Sequence, residues 1–270
     1  MRLPRTSRPP CAPLAELRLG MGDYVAGGAC SLPFLDLDGA RHRRPLVFGE
    51  VTDDLSEYPD LAAEMFSGRQ NDPSEWAVMW KEIGADGVWI DLKGDDTGLV
   101  EGIASRTRLP IAVTADDDIL ADLSRLETGT MILVPRGDAY DGPVGGHAIA
   151  IRGRTADEIA DRCSEAEASG IERIVIDVNS SPVGAGLPES MSLAKEIRRR
   201  ALSGEEALRH PTMGNVTGCW KRGFEDARAA SMWEAEAALA AMMSGADILV
   251  VRGPGAADMA RVYGEELADL

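Results

Sequence analysis

Residues 84–92 read GADGVWIDL, and residues 245–252 read GADILVVR. In each, a glycine closes what comes before, Ala-Asp follows, and a short apolar run begins. A glycine at the end of a helix supplies the left-handed turn that other residues resist. The apolar run is too short for a helix and too continuous for a strand with one wet face, so it fits a strand buried on both faces. Working outward from these two joints, similar runs recur at 46–51 (LVFGEV), 110–114 (PIAVT), 131–135 (MILVP), 147–152 (HAIAIR), 173–178 (RIVIDV) and 211–216 (PTMGNV). With 87–92 and 247–252 they make eight.

Helical patterns lie between most of them. Asp72-Pro73 is an N-cap followed by proline at the first helical position, which predicts a helix over 73–83. Thr155 and Glu158 have the spacing of a capping box and open a helix over 155–168. Longer helical stretches follow at 188–203, 231–244 and 255–268. Strands alternating with helices imply parallel pairing through right-handed crossovers. Eight units in 270 residues predict a single (β/α)₈ barrel over 46–270, with a doubly wound open sheet as the alternative. Only Arg136 to Gly146 joins strands four and five, barely enough for a crossover, so the helix of that unit is expected to be missing or vestigial. Residues 1–45, with six prolines and the apolar patch Leu32, Phe34, Leu35 and Leu37, read as an irregular arm or hairpin that closes the barrel's bottom or touches a partner.

Composition narrows the function. A formal charge of −17 repels nucleic-acid phosphates and reads as a solubility surface or as a match for a basic partner. No apolar run reaches the length of a membrane span, and Met1 to Pro13 lacks the apolar core of a secretory signal, so a cytoplasmic protein is expected. Cys11, Cys30, Cys163 and Cys219 are far apart in sequence, as are His42, His147 and His210. Neither set has metal-ligand spacing, and no metal site is expected.

In a (β/α)₈ barrel the chemistry sits where the strands end. Those positions hold Glu50, Asp91, Lys93, Asp116, Asp177, Asn179 and Asn215, with Arg136 and Arg252 beside them. Asp91, Asp177 and Asn215 stand out. Together they offer the donors and acceptors that a flat heterocycle with an amide and an exocyclic amine requires, as a pterin has. Each alone also reads as a polar group capping a helix or bonding a loop. Asp116-Asp117-Asp118 reads as a helix N-terminus, where negative charge is favoured, or as a cation site. The glycines of VGAGL (183–187) read as a turn or as a close approach to a ligand. Cys219 follows the Asn215 loop, with no neighbour in sequence to make it a nucleophile.

These residues carry a resemblance. SLPFLDLDG (31–39), PLVFGEVTDD (45–54), NDPSEWA with GADGVWIDL (71–92), IVIDVNSSPVGAGLPES (174–190) and MWEAEAALAAMMSGADILVV (232–251) resemble, collinearly over most of the chain, the delta subunit of the archaeal acetyl-CoA decarbonylase/synthase (carbon monoxide dehydrogenase) complex. That subunit is related to the small subunit of the bacterial corrinoid iron–sulfur protein. The resemblance implies a TIM barrel of the pterin-binding, dihydropteroate synthase-like type. It implies methyl transfer in the one-carbon metabolism of methanogenic archaea, between a tetrahydropterin (tetrahydromethanopterin, sarcinapterin or folate) as substrate and a corrinoid carried by a gamma-type iron–sulfur partner. In related methyltransferases an amide at the last position hydrogen-bonds the pterin ring. This implies a catalytic role for Asn215, with Asp91, Asp177, Asn179 and Asp116 binding substrate. Lys93 and Asp116 stand where that group often has asparagine. The chain has no D-x-H-x-x-G corrinoid motif, so the cobalt is expected on the partner. It is also shorter than typical delta subunits, which implies an absent insertion or terminal segment. Two alternatives stay open: a non-catalytic barrel that docks on and shields the corrinoid subunit, and a pterin-pathway enzyme with no corrinoid partner. A homo-oligomer is not excluded.

Overall fold

The computed structural model describes residues 13–31, 43–178, 180–182, 184–221 and 223–268. The patch at Leu32 to Leu37, Asn179, Cys11 and His42 lie outside the described residues. A hairpin comes first: β1 (Glu16–Leu19) pairs antiparallel with β2 (Tyr24–Gly27). The barrel then runs β3 (Leu46–Thr52), α1 (Asp60–Glu64), α2 (Pro73–Glu82), β4 (Gly87–Asp91), α3 (Thr97–Thr107), β5 (Ile111–Ala115), α4 (Asp117–Leu123) and β6 (Ile132–Pro135). It continues with β7 (Ala148–Ile151), α5 (Ala156–Ala168), β8 (Ile174–Asp177), α6 (Leu187–Leu202), β9 (Thr212–Asn215), α7 (Ala227–Met243), β10 (Ile248–Val251) and α8 (Pro254–Ala268). Strands β3 to β10 are parallel and close in chain order, with β10 against β3. The closed barrel replaces the open-sheet alternative.

Alternation along each strand divides the core into two layers. Phe48, Trp89, Ile132, Val134, Val175, Met213 and Val250 fill the barrel interior. Their neighbours Val47, Val51, Val88, Ile90 and Leu249 face the helices. Leu17, Leu19 and Ala26 of the hairpin join the interior set, and Gly20 bridges to Thr130 just before β6. The hairpin therefore plugs the end of the barrel where the strands begin, leaving the opposite end open.

Local signals explain the elements. Asp72 caps α2 by accepting from the N–H groups of Ser74 and Glu75 at 2.9 and 3.3 Å, with Pro73 behind it. Thr155 accepts from Glu158 N–H at 3.2 Å. The return bond of Glu158 goes to the N–H of Arg154 at 2.8 Å, not to that of Thr155. Gly84 and Gly245 take φ of +85° and +105°, the left-handed turn expected at the two joints. Helices α3 and α4 were not legible in the sequence. Helix α7 begins at Ala227, ahead of the expected 231, because Asp226 caps it by accepting from Ala229 N–H at 2.8 Å. No helix separates β6 from β7, as the short connection requires.

Candidate functional site

Polar residues that end a buried strand are delivered to the open mouth. Three of the clusters they form there join strand ends by ion pairs, two between neighbouring strands and one across β5. At the β3–β10 seam, Glu50 receives both arms of Arg252, one at 3.0 Å and Nε closer. The Arg252 guanidinium also lies 4.6 Å from the centre of the Tyr58 ring. Asp91, ending β4, has Arg136 at 2.8 Å and Lys93 at 3.2 Å. Arg136 reaches on to Asp116 at 3.4 Å and donates to the Leu92 carbonyl at 2.7 Å. Asp177, ending β8, is buried and takes Arg152 of the β7 end at 2.8 Å. Each of these carboxylates thus has an internal cation.

Strand β9 ends differently. Asn215 Oδ1 accepts from the Thr217 N–H at 3.0 Å and from the Thr217 hydroxyl at 2.7 Å. An N–H can only donate, so this contact fixes the oxygen and turns the amide NH₂ outward as a donor. Asn215 lines a cleft of about 800 Å³ with Ser180, Ser181, Lys221, Cys219 and Trp233, a volume ordinary for a small-molecule site. Hydroxyls, an amide, an ammonium and an indole converge there.

The sequence candidates therefore separate. Asn215 lies in the cleft. Asp177 is on the adjacent strand, held by Arg152. Asp91 is four strands around the barrel from β8 and shares one cluster with Asp116. Asp116 stands at the N-cap position of α4 without a side-chain capping bond, and its side chain is largely exposed. Asn179 lies outside the described residues. Gly184 and Ala185 form the turn expected of VGAGL, and they also line the cleft. Cys219 is buried at the cleft wall. Among the described residues no group of three His, Cys, Asp or Glu side chains converges to hold a metal, and no helix is long and apolar enough to cross a membrane.

Sequence reading missed Arg152, although it ends HAIAIR just as Asp177 ends IVID. It also missed Trp233 and Glu234. Glu234 of α7 is wholly buried, and its carboxylate accepts from the N–H groups of Arg252 and Gly253 at 2.6 and 2.8 Å. It anchors the loop that carries Arg252. Burial pushes its carboxyl up to about 7, against the pull of the Trp220 indole, of those N–H groups and of the Arg252 charge.

Comparison with known proteins gives three results. The family model described as CO dehydrogenase/acetyl-CoA synthase delta subunit matches residues 146–260, less than half of the chain but the stretch that carries β8, β9 and the cleft. Among curated proteins, the acetyl-CoA decarbonylase/synthase complex subunit gamma 2 of Methanosarcina thermophila is 24% identical over 185 residues, 67% of this chain and 36% of that protein. Subunit gamma 1 of the same organism is 33% identical over 83 residues, 31% of this chain and 18% of that protein. The match to these curated relatives thus spans about a third of their length or less. Among solved structures, dihydropteroate synthase from Burkholderia cenocepacia complexed with 7,8-dihydropteroate aligns with a TM-score of 0.60 at 15% identity, covering 96% of this chain and 98% of that one. The Xanthomonas albilineans enzyme in complex with 7,8-dihydropteroate gives 0.57 at 17%, covering 93% and 98%. At that identity the likeness establishes the barrel type.

Proposed function

We propose that this chain is a subunit of a corrinoid-dependent methyl-transfer system, receiving a methyl-tetrahydropterin in the cleft at the β8 and β9 ends and presenting its methyl group to the corrinoid of a gamma-type iron–sulfur partner. The reading places it in a complex of the acetyl-CoA decarbonylase/synthase kind, and both the delta-subunit match and the gamma-subunit relatives support that assembly.

The observation that carries the reading is the Asn215 amide. A methyl group on a tertiary amine is a poor electrophile until the nitrogen's lone pair is engaged by a proton or a strong hydrogen bond. The NH₂ of Asn215, oriented by Thr217, is a preorganised donor for that nitrogen. Trp233 offers a face for the flat ring, while Ser180 and Ser181 offer hydroxyls to its edge. The partner's corrinoid supplies the low-valent cobalt nucleophile that accepts the methyl group. This chain's part is to bind the pterin, orient the methyl outward and stabilise the amine as it departs.

A second reading has its own observation. Asp91 and Asp177, which would otherwise grip the heterocycle's amine and amide edge, are each held by arginine. That favours a barrel whose mouth docks on and shields the corrinoid subunit without binding pterin. One experiment separates the two: titrate the purified chain with methyl-tetrahydropterin, then follow methyl transfer spectroscopically with the reduced partner. On the catalytic reading, pterin binds, and Asn215→Ala lowers transfer about 10²-fold with little change in affinity. If pterin fails to bind while the corrinoid protein co-purifies, the shielding reading replaces it. If neither associates, both fall.

A further inference from the structure

We propose that the groove left by the missing helix between β6 and β7 is a docking site for a basic amphipathic helix of a partner protein. Each of the other seven barrel strands is followed by a helix that covers its outer face. Residues 136–147 run instead as an irregular, glycine- and aspartate-rich connection of bends and turns. Beside α5 they leave a cavity of about 470 Å³, floored by Pro135, Ile149, Ile151, Ala166 and Ile171 with Tyr140 at its side. That floor is the kind of surface that barrel helices cover elsewhere in the molecule. The space admits the side chains of one apolar helix face, not the whole helix, so the occupant lies across the groove and inserts a stripe spaced i, i+3, i+4, i+7.

Charge specifies the occupant. Asp138, Asp141 and Glu165 line the rim and are exposed. The two nearby arginines are turned to internal partners. Arg162 donates to the carbonyls of Asp138 and Arg152 at 2.5 and 2.7 Å and pairs with Glu158 at 2.7 Å, and Arg152 holds Asp177. The rim therefore presents net negative charge to whatever approaches. A second copy of this chain, with its formal charge of −17, is repelled; a helix flanked by lysine or arginine is attracted. The proposal does not depend on what the mouth binds.

Two synthetic helical peptides of about 18 residues test the proposal, sharing one leucine stripe and differing only in lysine or glutamate flanks. Binding to the full chain is read by fluorescence anisotropy. The lysine peptide should bind at least tenfold tighter than the glutamate peptide, with the preference shrinking as salt rises. Ala166→Phe, which fills the groove without changing charge, should weaken it tenfold or more at unchanged thermal stability. Should Ala166→Phe fail to fold, Asp138→Asn with Asp141→Asn serves instead, and there the lysine preference should fall. Equal binding of the two peptides, no binding of either, or affinity unaffected by the substitutions would overturn the proposal. So would a dimer of this chain that Ala166→Phe dissociates, since the occupant would then be a second copy.

Discussion

Glu234 should make this protein lose stability as pH rises through neutrality, and Glu234→Gln should abolish that loss. The carboxyl is wholly buried on α7, and burial lifts it from an ordinary value of 4.5 to about 7. The folded state therefore binds this proton more tightly than the unfolded chain does. Between about pH 4.5 and 7, unfolding releases the proton, so stability falls with rising pH and is level again above the folded value. A shift of this size corresponds to about 3 kcal/mol across the window. His147 and His210 act in the opposite direction. Burial lowers both, so the stability they contribute is lost as pH falls below the ordinary histidine value. The glutamine variant separates the contributions. Its amide has one acceptor oxygen for the two N–H groups of Arg252 and Gly253, so it should be less stable by about 1–2 kcal/mol at low pH. Above pH 7, where the wild-type carboxylate is charged and buried, the deficit should shrink or reverse. Urea unfolding at intervals from pH 4.5 to 8 gives both curves. If they run parallel across the window, Glu234 is not the titrating group and the argument from its burial is wrong.

Thr217→Val removes the 2.7 Å hydroxyl contact to Asn215 but keeps the backbone N–H at 3.0 Å; methyl transfer should fall severalfold, about 1 kcal/mol, and Thr217→Ser should restore it, whereas an unchanged rate would remove Thr217 as the residue that orients the amide. Arg152→Ala takes the cation from buried Asp177 and should cost about 2 kcal/mol in urea unfolding, less than for a fully buried pair because the arginine side chain is 24% exposed; a change near zero would mean that the other contacts of Asp177 suffice. Gly49→Ala sets a methyl group inside the Trp80 indole, which also donates to the Glu50 carbonyl at 2.8 Å; it should destabilise by about 3 kcal/mol or more, and a soluble variant of native stability would mean that Trp80 can pack elsewhere.

The barrel was legible because its strands are buried on both faces. LVFGEV, GVWIDL and RIVIDV leave no wet alternation to confuse with a surface sheet, and Gly84 and Gly245 mark where helices must stop. The helices were less legible where packing, not patterning, forms them. Helix α3 carries Gly98 and Gly102 and presents only Val100, Ile103, Ala104 and Thr107 to the core. Helix α4 has seven residues and two buried leucines, too few for a period to declare itself. In both, the barrel wall supplies the stability that the local sequence lacks.

At the mouth, strand ends announced which residues would be there but not what they would face. Asp91, Asp177 and Asn215 look equivalent in sequence, since each closes an apolar run. Their difference lies on other strands: Arg136 follows β6, two strands from Asp91, and Arg152 follows β7, beside Asp177 on β8, and each pairs with a carboxylate distant in sequence. Strand β9 ends in an uncharged amide that no cation needs to balance, although Lys221 lines the same cleft. Charge cancellation around the rim thus leaves the β9 end as the place where a neutral donor meets the cleft, which is why the proposed ligand site centres on Asn215. A ligand that needed Asp91 or Asp177 would have to compete with the arginine that holds it. Binding at the Asn215 cleft displaces no arginine. A functional reading that begins there therefore requires less rearrangement of this mouth than one built on the two aspartates.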